Sequence, residues 1–480
     1  MVSTLPNARR RKLLLIGLDG VPPEVLFERL RPRMPNVAAL MQAGVWGPMR
    51  TTDPPISIPA WPVMFTGFDP GTLGFYGFRH RLNYSYHQTY VPRSTLLEVP
   101  TLFMLLSSRG RRVGVIGVPP GYPPPKVNGF YISDFLTPPE STNTTHPPEL
   151  RAEIDAKFGA YRFDVPFRAE ERRELFQQIL EMTRRRWQVA EALYTRESWD
   201  LFALHEIGTD RLGHAFWKYV DRDHPKFVPG NEFEHAAEEY FGQLDQWIGR
   251  LVSHIDSDTI VVLLSDHGMM PMKGCFCINQ WLEQKGYLTL RTPPARPGTA
   301  FEKADVDWSR TRVWGAGGYY ARLFFNIRGR EKEGIVDPAE LPALRAQLER
   351  DLGTLTEPDG APLPMRILDP KTVYRELNGD PPDLMVYFDS LRWRSAGTIG
   401  YPTNYLEEND TGPDDAVHGT EGIFVLYDPE VSEGRKFAGI DALDVMPTLL
   451  TAMGEEIPAR LQGRAVRDAL PCASSESTSR

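Results

Sequence analysis

Leu13-Leu14-Leu15-Ile16-Gly17-Leu18-Asp19-Gly20 is an unbroken aliphatic run that stops at an acid and a glycine. Nothing polar alternates within it, so neither side faces water. That pattern belongs to a strand covered on both faces, as in a parallel sheet sandwiched between helices. The basic residues Arg9-Arg10-Arg11-Lys12 stand before it, but the apolar stretch falls short of the ~7–15 residues of a secretory core. It is far short of the ~18 residues of a membrane span, and no other run reaches that length. Asp19 sits where such a strand ends, and ligands collect at the carboxyl ends of strands in open α/β sheets.

Working outward, similar short runs recur at Val113–Val118, Phe130–Ile132, Leu201–Leu204, Ile260–Leu264 and Ile423–Leu426, with amphipathic stretches at Glu170–Tyr194 and Phe233–Ile255. Strands alternating with helices predict an α/β fold, with a central, mostly parallel sheet and helices on both faces. Residues 271–410 read differently. They are rich in Pro, Gly and charge, with shorter strand-like runs at Tyr319–Ile327 and Leu384–Phe388. The expected organisation is a core of 1–270 and 411–470, an inserted cap subdomain over 271–410, and a Ser-rich disordered tail over 471–480.

The chain has 480 residues, 41% hydrophobic and 24% charged, with a formal net charge of −9. It is long enough for a large core and an insertion, and its acidity argues against binding a nucleic-acid polymer. An acidic protein still holds an anionic substrate where metal ions supply local positive charge. The cysteines are Cys275, Cys277 and Cys472. So sparse a set fits no disulfide framework and suits the cytoplasm, and Cys275-x-Cys277 alone is too thin for a structural zinc site.

Metal-ligand types stand beside the buried runs. Asp19 follows Leu13–Leu18, Asp266-His267 follow Ile260–Leu264, Asp210 and His214 follow Leu201–Leu204, and His418 precedes Ile423–Leu426. Singly, each has a plain structural explanation, such as a turn, a helix cap or a solvated helix face. Jointly they offer imidazole nitrogen and carboxylate oxygen, the donors that Zn²⁺ takes and Mn²⁺ shares. Asp210 and His214 are spaced i, i+4, so on a helix both point to one side and can share an ion. Two such ions about 3.5–4 Å apart stabilise the attacking and leaving oxygens of a phosphoryl displacement.

A hydroxyl completes the set. In Asp53-Pro54-Pro55-Ile56-Ser57-Ile58-Pro59-Ala60-Trp61-Pro62 the prolines suit a loop running into the first turn of a helix. Ser57 there faces backbone N–H groups and the positive end of the helix dipole, an environment that holds phosphate. A serine at that place also serves as a simple helix cap.

These stretches, LLLIGLDG (13–20), PPISIPAWPVMFTG (54–67), Asp210-x-x-x-His214, SDHGM (265–269) and His418-Gly419, stand in the order seen in enzymes of the alkaline-phosphatase superfamily. They resemble most closely its type I phosphodiesterase/nucleotide pyrophosphatase branch, which includes prokaryotic phosphohydrolase and phosphomutase members. Residues 441–466 also resemble the closing helix and Gly-Arg turn of that family. The resemblance implies two divalent ions. Asp210, His214 and His418 would hold one. Asp19, Asp266 and His267 would hold the other, with Ser57 as its oxygen ligand and as the nucleophile that forms a phosphoseryl intermediate.

Other chemistry on this fold is weighed by particular residues. Sulfatases convert a Cys or Ser within C/S-x-P-x-R, and Trp61 stands where the Arg is required. A second ester substituent calls for an apolar or aromatic pocket, for which Trp61, Phe75, Tyr76 and Phe78 are candidates, with Trp314, Tyr319 and Tyr320 from the insertion. Arg79 and His80 could reach a phosphate, and Lys273 is placed just beyond SDHGMMP. The expected function is hydrolysis of a phosphodiester or pyrophosphate bond in a small phosphorylated substrate such as a nucleotide. A phosphomonoesterase or phosphomutase is the alternative, followed by a non-catalytic metal-containing binding protein.

Overall fold

The computed structural model describes residues 10–431 and 433–471. The expected tail therefore lies outside the described residues apart from Pro471, as do Arg9 and Cys472. The strands that position the site are β1 (Lys12–Leu18), β2 (Val45–Arg50), β3 (Val113–Ile116), β4 (Gly129–Ile132), β5 (Leu201–Glu206), β6 (Thr259–Leu264), β7 (Gly268–Pro271), β8 (Ala416–Gly419) and β9 (Glu421–Tyr427). A ten-stranded sheet runs β2-β9-β6-β1-β5-β3-β4, extended at its edges by short strands. From β6 to β4 every neighbouring pair is parallel, and β9 turns antiparallel against β6 and β2. The aliphatic run that opened the sequence is the middle of this parallel block.

Residue alternation in β1 explains why that run carries no polar partner face. Leu14, Ile16 and Leu18 enter one core, with Ile179 and Trp187 of α2 (Arg172–Tyr194), Phe216 of α3 (Gly208–Val220) and Leu244 of α4 (Ala236–Val252). Leu13 and Leu15 enter the other, with Trp61 and Phe65 of α1 (Ser57–Thr66) and Leu449 of α5 (Val445–Ala452). Period-two side chains buried on both sides are what a helix-covered parallel strand requires. Gly17 breaks the aliphatic series for a steric reason: a Cβ there would stand 2.5 Å from the Trp61 ring.

A second, seven-stranded sheet is drawn entirely from residues 274–406. Phe276, Leu323, Val386 and Phe388 build its own apolar core with Leu344 and Leu348 of the helix Leu341–Leu352. Its strand Ala321–Phe325 begins later than the sequence pattern implies, which leaves Tyr319 and Tyr320 in a bend. Between the two sheets, β7 and β8 pair antiparallel, with Met269 opposite His418. No helix among the described residues is long and apolar enough to cross a membrane.

Candidate metal centre

Each candidate donor is delivered by the end of a buried element. Asp19 follows β1 and Asp266-His267 follow β6, two strands that are hydrogen-bonded neighbours. After β5 the chain turns directly into α3, whose first turns carry Asp210 and His214. The β7–β8 ribbon brings His418 back over His267, with their rings stacked at a centroid distance of 3.6 Å. Ser57 is the first residue of α1, and no side chain caps that helix. Its first-turn N–H groups are left to an outside acceptor.

Two groups of donors result. In one, His214 Nε2 lies 3.3 Å from Asp210 Oδ1 and 3.1 Å from His418 Nε2, and His418 Nε2 lies 3.8 Å from Asp210 Oδ1. In the other, His267 Nε2 lies 3.2 Å from Asp266 Oδ2 and 3.5 Å from Asp19 Oδ1. The Ser57 hydroxyl stands 3.4 Å from Asp19 Oδ1 and 3.3 Å from His267 Nε2. His267 also lies within 4.8 Å of Asp210 and His418, so it joins the two groups. All of these side chains are at most 3% exposed.

The surrounding hydrogen bonds orient the donors inward. Carbonyls only accept, so His267 Nδ1–H donates to Gly268 O at 2.9 Å and His418 Nδ1–H to Pro55 O at 2.8 Å. His214 Nδ1–H donates to Asp414 Oδ1 at 2.7 Å. Each imidazole thus turns its Nε2 to the centre, the arrangement by which outer partners fix the tautomer of a metal-ligating histidine. The carboxylates are treated alike. Asp19 Oδ2 accepts from the Trp61 indole N–H at 2.9 Å and contacts His205 Nε2 at 2.7 Å. Asp266 Oδ1 accepts from Gly20 N–H at 3.1 Å, and Asp210 Oδ2 from Arg211 at 2.6 Å. The remaining oxygens, Asp210 Oδ1 and Asp266 Oδ2, are buried without a hydrogen-bond partner among the described residues. Buried carboxylate oxygens facing inward-turned imidazole nitrogens fit a divalent cation by charge and by donor type.

Protonation follows the same crowding. Burial, then the charge of Asp19, pushes the Asp266 carboxyl well above its usual range. Burial works against a charged His214, but Asp414, Tyr319 and Asp210 together outweigh that cost, so His214 is pushed well upward. Burial, followed by the neighbouring His267 and His214, pushes His418 well down.

Trp61 and His80, expected as substrate contacts, take other positions. Trp61 has no exposed surface; it packs on Gly17 and holds Asp19. His80 is buried, accepts from Tyr76 N–H at 2.9 Å through Nε2 and stacks on Phe75. Arg79 is exposed, and its guanidinium has no carboxylate partner among the described residues. Tyr76 and Tyr320 bond to the backbone, and Trp314 packs in the second-sheet core. Lys273 is paired with Glu357 at 2.9 Å and Asp389 at 2.8 Å. Cys275 and Cys277 are buried and free.

Several residues at the centre carry no local motif. His205 contacts Asp19 from within β5. Asp414 is gripped by Arg394 at 2.7 Å and Arg168 at 3.0 Å. Tyr319, in the bend just before the second-sheet strand Ala321–Phe325, places its hydroxyl 3.0 Å from His214 Nε2. The nearest sequence signals are the acid pair Asp414-Asp415 shortly before His418 and the histidine near the end of a buried strand.

Residues 13–414 match the family model for type I phosphodiesterase / nucleotide pyrophosphatase. GPI ethanolamine phosphate transferase 2 of Kluyveromyces lactis is 23% identical over 261 residues, covering 54% of this chain and 26% of that protein. The chain thus spans about a quarter of that relative's length. Among solved structures, human ectonucleotide pyrophosphatase / phosphodiesterase 5 has a TM-score of 0.57 at 13% identity, covering 95% of this chain and 98% of that one. An inactive form of the murine enzyme in complex with AMP has a TM-score of 0.55 at 12% identity, covering 93% and 96%. At these identities the structural likeness speaks to the fold. With the family match over most of its length, the chain belongs to the type I phosphodiesterase / nucleotide pyrophosphatase family.

Proposed function

We propose that the protein hydrolyses phosphodiester or pyrophosphate bonds of a small phosphorylated substrate, with Ser57 as nucleophile between two divalent cations. The observation that carries this reading is the Ser57 hydroxyl, buried between Asp19 and His267 at the head of a helix that no side chain caps. Asp210, His214 and His418 would hold one ion, and Asp19, Asp266, His267 and Ser57 the other. Zn²⁺ is the ion we favour, and Mn²⁺ accepts the same donors. When bound, such ions supply positive charge that stabilises the serine oxygen as a nucleophile and neutralises the phosphoryl oxygens. Bound there, two divalent ions would bring a charge of +4 to a site that holds three carboxyl groups and the Ser57 oxygen.

The chain's own residues then divide the work. Ser57 attacks phosphorus as the bond to the leaving oxygen breaks; the serine proton ends on the departing alcohol or phosphate, and water later cleaves the Ser57–phosphorus ester to release the phosphoryl product and restore the serine hydroxyl. The first turn of α1 offers N–H groups to a phosphoryl oxygen. Asp414, Pro55 O and Gly268 O hold the three imidazoles in the ligating tautomer, while Trp61 and His205 hold Asp19. Residues 271–410 act as a cap on the catalytic core of 1–270 and 411–470. The inactive murine relative binds AMP, and a nucleotide is accordingly our first candidate substrate. The buried free thiols of Cys275 and Cys277 support a cytoplasmic location.

A phosphomonoesterase or phosphomutase is the second reading, favoured by one feature. Arg79 is an exposed guanidinium without a carboxylate partner among the described residues, suited to a terminal phosphate. The decisive assay compares bis-p-nitrophenyl phosphate with p-nitrophenyl phosphate, using chelated protein resupplied with Zn²⁺ or Mn²⁺. Preference for the diester, loss of turnover in Ser57→Ala with its ions retained, and a phosphorylated Ser57 peptide after acid quench are the expected results. Preference for the monoester selects the second reading. Full turnover in Ser57→Ala overturns the nucleophile, and unchanged ligand affinity without turnover in either protein indicates a binding protein.

A further inference from the structure

We propose that Tyr319 is a fourth protein donor at the Asp210–His214–His418 position, so that the ion held there pins the second sheet onto the catalytic core. The inference rests on the two-ion reading and adds a ligand to it.

The Tyr319 hydroxyl lies 3.0 Å from His214 Nε2, and this is its only hydrogen bond among the described residues. The phenol ring lies on the His418 ring at a centroid distance of 3.8 Å. Arg394 is placed over the same ring at 4.2 Å and is itself held by Asp414. One side chain from the bend just before a second-sheet strand is therefore fastened to both histidines of one donor group and to the arginine behind them.

The donor spacing is of the size that ligation requires. Four donors around an ion with bonds of ~2.0–2.1 Å are separated by edges of about 3.3–3.4 Å. The edges here are 3.3, 3.1 and 3.8 Å among Asp210, His214 and His418, and 3.0 Å from His214 to Tyr319. The partner question points the same way. The Tyr319 hydroxyl hydrogen-bonds to His214 through Nε2, the nitrogen whose lone pair an ion would take. Once that lone pair is engaged, the nearly buried hydroxyl needs another partner, and the ion is the group placed to accept its oxygen. Arg394, close to the ring, compensates negative charge gathered on that oxygen.

The test is Co²⁺ titration of the metal-free, full-length protein, comparing wild type with Tyr319→Phe. We expect wild type to bind two ions. The variant should bind one with unchanged affinity and the other at least about tenfold more weakly, with an altered visible absorption for the weaker ion only. Two ions bound with equal affinity and identical spectra in both proteins overturn the Tyr319 assignment alone. Fewer than two ions in wild type overturn it together with the two-ion reading. Should Tyr319→Phe not fold, crystals of wild type grown with Zn²⁺ decide the matter. An ion–Oη distance near ~2.0–2.2 Å supports ligation, and one beyond ~3 Å overturns it.

Discussion

His214 Nδ1–H donates to Asp414 Oδ1 at 2.7 Å, and both side chains are wholly buried. Asp414 is in turn clamped by Arg394 and Arg168, so the imidazole is aimed through a chain of charged contacts that begins outside the metal position. Asp414→Asn should weaken the ion at His214 by about 10–100-fold, read by competition with a chromogenic chelator. Equal affinity in the variant contradicts the orienting role.

Removing the ions should destabilise the protein. Asp19, Asp210 and Asp266 are gathered in a site sealed from water, and a ligand that binds only the folded state stabilises it by mass action. At a free ion concentration one hundred times its Kd the gain is about 2.7 kcal/mol. Thermal unfolding with EDTA and with Zn²⁺ restored should show a clear rise in Tm on restoration. An unchanged Tm contradicts metal binding at this centre.

Glu206, directly after His205 in β5, is fully buried and accepts from Arg186 at 3.1 Å, Trp187 at 2.9 Å and the Gly208 N–H at 2.7 Å. It ties α2 to the start of α3, the helix that carries Asp210 and His214. Glu206→Ala leaves the Arg186 guanidinium buried without its partner and should cost about 3–5 kcal/mol, measured by denaturant unfolding. A loss below 1 kcal/mol contradicts this account of the network.

His80 gives the pH response a sign. Burial lowers its pKa from 6.5 to about 3. Between those values the unfolded chain takes up a proton that the folded chain refuses, so stability falls as pH drops below 6.5. The slope from this group is about 1.4 kcal/mol per pH unit. His80→Gln keeps an acceptor for Tyr76 N–H and should remove that part of the slope in unfolding curves between pH 6.5 and 4. An identical slope in the variant assigns the dependence elsewhere.

The parts of the molecule legible in the sequence are those where local pattern and tertiary role coincide. Leu13–Leu18 has no polar alternation because both faces of β1 are covered, and Asp19 then falls at the strand's exit. Glu170–Tyr194 and Phe233–Ile255 carry helical periodicity, and helices span Arg172–Tyr194 and Ala236–Val252. In sequence, the Trp61 ring near a candidate nucleophile has the pattern of a stacking surface, whereas in the structure it is buried. A buried indole must also satisfy its N–H, and Asp19 is the acceptor. Asp414, His205 and Tyr319 act across 200, 186 and 105 positions of chain from the residues they touch. No local spacing encodes such contacts, which arise only when the β7–β8 ribbon and the second sheet fold back over the strand ends.

Anomalous diffraction from crystals grown with Zn²⁺ tests the central claim most directly. The account predicts two peaks about 3.5–4 Å apart, one bounded by Asp210, His214 and His418 and the other by Asp19, Asp266, His267 and the Ser57 oxygen. An absence of peaks among these side chains, or a single ion remote from Ser57, contradicts it.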